Sequence, residues 1–299
     1  MKIAIIGAGR VGSTVAYSLL MKNLASDIIM VDVQQERCEG EVRDLADTLT
    51  FCQTSHITQG SFEDARTAQI IIICAGHAQQ PGQTRLELFT KNKDIIASIM
   101  HNLEPLNTNA LVIMVTNPLD IMTQIAQDTS SLPREQIFGT GTWLDTQRLR
   151  RYLGAALNVN PTSIDTLIIG EHGDAQCVVW SHTLCGGVPI TEMGLTQAQL
   201  DEIATNARNE AYVIIEKKCG TYYGIAACVA DICQTIIFDR KTVMPLSVFV
   251  PELGVCISVP VVLGAHGIER RAAMSLNAQE HACLQRAAEK LGGYLNQNS

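Results

Sequence analysis

The chain has 299 residues, 46% hydrophobic and 17% charged, enough to bury one large core or two ordinary ones. Its formal net charge of −8 provides no basic excess. No nucleic acid and no membrane is therefore expected as a partner, although local arginines can still line a pocket for a small acid. The ten cysteines include no C-x-x-C pair, and four residues separate the two nearest, Cys228 and Cys233, so no metal site is expected. No signal-like apolar stretch opens the chain and no run reaches membrane length. Free cysteines without a leader point to the reducing cytoplasm, each thiol serving as a small core hydrophobe.

The first thirty-two residues carry the most information. "KIAII" is a short apolar run bounded by glycine, which predicts a buried strand. Gly7, Gly9 and Gly12 then form G-x-G-x-x-G, "RVGSTVAYSLLMKN" has helical spacing, and "DIIMV" predicts a second strand ending at Asp32. Together these make one βαβ unit of the dinucleotide-binding kind. Gly7 permits the tight turn, Gly9 lets a pyrophosphate approach the backbone, and Gly12 lets helix and strand pack closely. The helix start offers N–H groups and a positive dipole end to the phosphates. Asp32, 20 positions past Gly12, suits the ribose hydroxyls and repels a 2′-phosphate, which favours NAD over NADP.

The alternation continues. "QIIIIC" (69–74), "LVIMV" (111–115) and "QIFG" (136–139) predict further strands, the first two reading as parallel strands covered on both faces. A helix is expected at 86–103, its start near Arg85 marked by the capping-box pattern "TRLE". The fold class is thus α/β, a Rossmann doubly wound parallel sheet of about six strands. The polar loop "AGHAQQPGQTR" before that helix has the length of a lid, with Arg85 at its end. In "TNPLD" (116–120) Asn117 precedes proline and should emerge at a strand's carboxyl end. "GTWLDTQRLRRYLG" (141–154) predicts a helix with Asp145 and Arg148 on one face. Thr142 and Asp145 also fit a capping box, with Arg148 as a surface ion partner. "SIDTLIIG" (163–170) reads as one buried strand, delivering "GEHGD" and His172 at its end.

In this order the segments "GAGRVGSTVAYSL", "VD", "CAG", "QQPGQTR", "VTNPLDI", "WLDTQRLR", "IIGEHGD", "EKKCGTYYGIA" and "SVPVVLGAHGIER" resemble the L-lactate and L-malate dehydrogenase family over essentially the whole chain. The likeness is greatest to its bacterial L-lactate members. It implies a NAD-binding domain over 1–142 and an α+β substrate-binding, catalytic domain over 143–299. It further implies that His172 gives and takes the hydroxyl proton, that Asp145 pairs with it, and that Arg148 grips the substrate carboxylate. Arg85 would polarise the reacting carbonyl, Asn117 would lie near that carbonyl and the nicotinamide, and Thr221 would line the substrate's side-chain end. Val11, Arg37, Gly76, Val115, Asn117 and Thr140 fall on positions that touch NAD. The chemistry suits these residue types. Histidine exchanges protons near neutral pH. A planar guanidinium holds a carboxylate bidentately. A second cation meets charge building on the carbonyl oxygen in a site closed to water.

The resemblance also bears on the substrate, a small 2-oxo or 2-hydroxy acid. Malate dehydrogenases carry a lid arginine six positions before the polarising one; here that position is Gln79, as is usual for lactate dehydrogenases. A buried second carboxylate without a cation is costly, so pyruvate is favoured over oxaloacetate. His77, if turned inward and protonated, would offset this. A bulkier 2-oxo acid stays open, and Glu210 stands near the side-chain end, where relatives often have something small. Some bacterial members bind fructose 1,6-bisphosphate through an arginine and a histidine at a subunit interface. Arg150 holds the first place and Asp165 the second, so activation by that sugar is not expected. Beyond "CISVPVVLG" and a long helix at 196–218, an amphipathic helix capped by Asn277 and Glu280 is expected to end the fold. The resemblance implies a homo-oligomer, dimer or tetramer, with "GEVRDLADTL" (40–49) as an interface helix and without the N-terminal arm of some tetrameric relatives.

Overall fold

The computed structural model describes residues 1–53, 56–77 and 85–296, except for the side chains of residues 85–88 and 296. The continuous apolar runs of the first half form strands, and the 3.6-period stretches between them form helices. In chain order these are β1 (Lys2–Ile6), α1 (Arg10–Met21), β2 (Asp27–Val31), α2 (Gln35–Asp47), β3 (His56–Gln59), α3 (Phe62–Ala65), β4 (Ile70–Ile73), α4 (Arg85–Leu103), β5 (Leu111–Met114), α5 (Leu119–Thr129) and β6 (Ile137–Gly139). The strands lie in the order β3-β2-β1-β4-β5-β6, all parallel. This is the doubly wound dinucleotide-binding order, reversing direction between β1 and β4. Burial on both faces explains why β4 is four isoleucines, each fully buried. β3 carries a single buried residue, Ile57, as suits a sheet edge, and its "HITQ" gave no clear pattern in sequence.

The second half comprises α6 (Trp143–Leu157), β7 (Ile164–Asp165), β8 (Ile168–Gly170), β9 (Gln176–Val178), β10 (Leu184–Cys185), β11 (Val188–Pro189), α7 (Gln197–Lys218), α8 (Tyr223–Ile237), β12 (Thr242–Val250), β13 (Val255–Gly264), β14 (Gly267–Arg271) and α9 (Ala278–Asn296). β7, β10 and β11 form a small separate sheet in the order β11-β10-β7, but the other strands continue the first-half sheet. β12 joins β6 antiparallel through the pair Ser247 and Gly139, and β13, β8 and β9 extend the sheet from there. Gly139 is required at this join, because a Cβ there would lie 2.5 Å from Thr123 Oγ1 and 3.0 Å from Ser247 Cβ.

Two local expectations are corrected. The stretch 163–170 is two strands in different sheets, β7 pairing with β10 and β8 with β13 and β9. It divides at Thr166, whose buried hydroxyl bonds that of Thr183 at 2.7 Å. The capping box at the start of α6 does not form. Thr142 is the N-cap but makes no side-chain cap bond, and its hydroxyl donates instead to the Ile168 carbonyl of β8. Asp145 is thereby free for other partners. The box expected at the last helix does form: Asn277 Oδ1 accepts from the Glu280 N–H at 3.0 Å, and Glu280 Oε2 accepts from the Asn277 N–H at 3.0 Å. The "TRLE" box lies outside the described residues. No described helix is long and apolar enough to cross a membrane.

Candidate active site

The glycine turn follows from close approach. Gly7 has φ +104°, and a Cβ on it would lie 2.6 Å from the Ala75 nitrogen at the end of β4. A Cβ on Gly12 would overlap the Gly7 carbonyl at 1.8 Å, whereas one on Gly9 would meet nothing within 4 Å. The first and third glycines are thus dictated by packing. The second faces open space at the start of α1, where an anionic group can approach main-chain N–H donors. Asp32 closes the far side of the turn, accepting from the Ala8 N–H at 2.7 Å and the Gln34 N–H at 2.8 Å. This bare backbone cradle with one carboxylate fits a dinucleotide's pyrophosphate and ribose. Arg37 lies exposed on α2, away from the deeper cleft.

A cleft of about 210 Å³ runs inward from the first turn of α1. Val11, Val115, Asn117 and Thr140 line it on the side of the parallel sheet, and Asp145, Arg148, His172 and Thr221 on the other. The loop bearing Thr221 is tied to the glycine turn, since Arg10 Nη1 donates to the Cys219 carbonyl at 2.8 Å.

Asp145, Arg148 and His172 meet in this cleft. Asp145 Oδ2 lies 2.6 Å from His172 Nδ1, and Asp145 Oδ1 accepts from Arg148 Nη1 at 3.2 Å. The Asp145 and Arg148 side chains are buried, whereas His172 keeps 23% of its side chain exposed toward the opening. Burial works against charging His172, but the charge and hydrogen bond of Asp145, helped by the charge of Asp120, outweigh it and lift the imidazole above its ordinary value. Burial would also raise Asp145, yet His172 and Arg148 together hold it below the usual carboxylate range. Such an arrangement suits an imidazole that carries a proton near neutral pH on Nε2, beside a guanidinium with donors to spare.

Gly76 lies beside Thr116 and Asn92, and a Cβ on it would approach Thr116 Cγ2 to 2.5 Å. Gln79 lies outside the described residues, as does the Arg85 side chain, although Arg85 begins α4. His77 is exposed and does not line the cleft. Glu210 turns away from the cleft, because its two oxygens accept from Arg151 Nη2 and the Tyr152 hydroxyl, each at 2.6 Å. Arg150 approaches Asp165 to 3.8 Å.

Sequence reasoning missed three polar residues around the site, Asn92, Asp120 and Ser247. Asn92, fully buried on α4, bonds both the N–H and the carbonyl of His77, at 2.8 and 3.3 Å, and the carbonyl of Asn117 at 2.7 Å. It ties the loop after β4 to the loop after β5. Asp120 accepts from the His172 N–H at 2.8 Å and from the Ser247 hydroxyl at 2.6 Å. Nothing local marked Asn92, which in sequence looks like a solvent-facing helical residue. Asp120 stood within "TNPLD" but was given no role.

Residues 1–139 match the family described as lactate/malate dehydrogenase, NAD binding domain, and residues 142–298 the companion alpha/beta C-terminal domain. The chain is 41% identical over 292 residues to L-lactate dehydrogenase A of Rhizopus oryzae, covering 97% of this chain and 91% of that protein. It is 40% identical over 295 residues to L-lactate dehydrogenase of Halalkalibacterium halodurans, covering 97% and 95%. The fold superimposes with a TM-score of 0.95 on the crystal structure of the minor L-lactate dehydrogenase from Enterococcus mundtii, at 32% identity and 100% and 98% coverage.

Proposed function

Since the chain belongs to the lactate/malate dehydrogenase family, we propose that it is a NAD-dependent L-lactate dehydrogenase, interconverting pyruvate and L-lactate. The observation that carries this reading is the convergence of Asp145, Arg148 and His172 in the cleft that begins at the glycine turn. When bound, NAD supplies the hydride chemistry at the substrate's C2. The chain's own residues supply the rest. Gly7, Gly9 and Gly12 with Asp32 would hold the dinucleotide, and Val11, Gly76, Val115, Asn117 and Thr140 would flank it, with Arg37 on its outer side. Arg148 engages Asp145 through Nη1 and retains its other donors for the substrate carboxylate. With Nδ1 committed to Asp145, His172 gives its proton from Nε2 to the C2 oxygen in pyruvate reduction and recovers it in lactate oxidation. Arg85, by resemblance, would stabilise that oxygen as charge builds on it. On this reading residues 1–142 serve mainly the cofactor and residues 143–299 the substrate.

Pyruvate rather than oxaloacetate is supported by Gln79, by a cleft lining without His77, and by relatives named L-lactate dehydrogenase. A homo-oligomer acting in the cytoplasm is consistent with the family. The test is NADH oxidation against a panel of 2-oxo acids. Pyruvate should give the highest kcat/KM, and His172→Asn should abolish turnover while NADH still binds. Turnover of none of the panel would defeat the proposal.

A further inference from the structure

We propose that Asp120 is a second carboxylate acting on His172, a positioning residue that fixes the histidine's main chain and adds a negative charge to its surroundings. This rests on reading His172 as the proton-transfer group. Asp120 is the second residue of α5, directly after the Asn117–Pro118 turn, and is 2% exposed. Its Oδ2 takes the His172 N–H and its Oδ1 the hydroxyl of Ser247, which is itself fully buried at the join of β12 with β6. One side chain therefore links the loop carrying Asn117, the loop carrying His172 and the strand that joins the two halves of the sheet.

Geometry alone does not require a charge here. An asparagine could accept from the His172 N–H with its carbonyl and donate to the Ser247 oxygen with its amide, at lower desolvation cost. Among the described residues Asp120 has no salt bridge; both its donors are neutral. The start of α5 favours a negative charge, which helps keep it ionised. Burial lifts Asp120 to about 6, while the Ser247 hydroxyl, the His172 N–H and the His172 charge favour its ionised form.

Several other ionisable groups among the described residues surround the pair. Asp145 and Arg148 face the ring from α6. Glu171, beside His172, is paired with Lys290 of α9 at 2.7 Å. Asp174 accepts from the Tyr212 hydroxyl of α7 at 2.9 Å, and Arg208 of α7 and Tyr294 of α9 line the same cleft. Cys256 of β13 faces Asp120 as a neutral thiol, pushed well above its ordinary value by burial and then by Asp120. Against burial and the charge of Arg148, Asp145 and then Asp120 raise His172.

The experiment compares the full-length wild type with Asp120→Asn and Ser247→Ala. The His172 ring is titrated by NMR, its signal assigned by its loss in His172→Gln, and the pH profile of kcat/KM for pyruvate is recorded in parallel. In Asp120→Asn the His172 midpoint should fall by about half a pH unit or more, the alkaline limb of the profile moving with it. Ser247→Ala removes a hydrogen bond that favours the ionised Asp120, so it should move the midpoint the same way by less. A folded Asp120→Asn whose midpoint stays within about 0.2 unit of wild type would overturn the proposal, leaving Asp120 a neutral anchor. Should Asp120→Asn fail to fold, an unmoved midpoint in Ser247→Ala overturns it equally. The NMR titration needs no turnover, so inactivity of the wild type toward 2-oxo acids would count against the dehydrogenase reading separately.

Discussion

Replacing Asp145 with asparagine probes the reasoning most directly. The carboxylate accepts from His172 at 2.6 Å and from Arg148 at 3.2 Å, and 4% of its side chain is exposed. Hydrogen bonds to charged groups contribute about 1.5–3 kcal/mol, and removing the charge takes that stabilisation from the imidazolium. At about 1.36 kcal/mol per pH unit, the His172 midpoint should fall by about 1–2 units. The sign follows from the role. Pyruvate reduction needs His172 protonated, so its kcat/KM declines as pH rises through the raised midpoint; lactate oxidation needs the ring neutral and increases through it. In Asp145→Asn both limbs move to lower pH. Near neutral pH, kcat/KM for pyruvate should fall by about 10- to 150-fold, and the deficit should shrink toward acid pH. Steady-state NADH absorbance, with circular dichroism to confirm folding, reads both quantities. A folded variant with an unmoved limb and kcat/KM within about threefold of wild type would refute the argument that this pair sets the proton's energy.

Further outcomes follow from other parts of the molecule. Glu210→Ala should leave the pyruvate KM within about twofold and cost ~1 kcal/mol of stability in denaturant unfolding, because its oxygens serve Arg151 and Tyr152 rather than the cleft. Asn92→Ala should cost ~2 kcal/mol and raise the pyruvate KM, since it removes the buried side chain that holds the main-chain groups of His77 and Asn117 together. Gln79→Arg should move the ratio of kcat/KM values toward oxaloacetate by supplying a cation for the second carboxylate. Millimolar fructose 1,6-bisphosphate should leave the pyruvate KM unchanged, because Asp165 stands 3.8 Å from Arg150 and repels phosphate; a large fall in KM would contradict this.

Much of the architecture was legible in the residues because it is encoded locally. The strands β1, β2, β4 and β5 are apolar runs set between polar or glycine stops, and α1, α4 and α7 carry helical periodicity and, at α7, a true capping box at Thr196 and Gln199. Gly7 and Gly12 read correctly because their need for a missing Cβ belongs to the turn itself. The division of 163–170 was not legible. Its buried apolar run suits one strand, and the division appears only in the pairing of its two ends with distant strands of different sheets.

The site shows the same boundary. Spacing placed Asp145 and Arg148 on one helix face, but it served a surface capping box and a buried dyad equally well. Packing of β8 against α6 decided between them, by drawing the Thr142 hydroxyl to the Ile168 carbonyl and leaving Asp145 to His172, 27 positions away. Asp120 and Ser247 lie 127 positions apart and meet because Ser247 pairs with Gly139 where β12 joins β6. Periodicity and motif spacing record what each residue does with its near neighbours. Which buried carboxylate faces which donor depends on strand register and helix packing, and those contacts exist only once the chain has closed on itself.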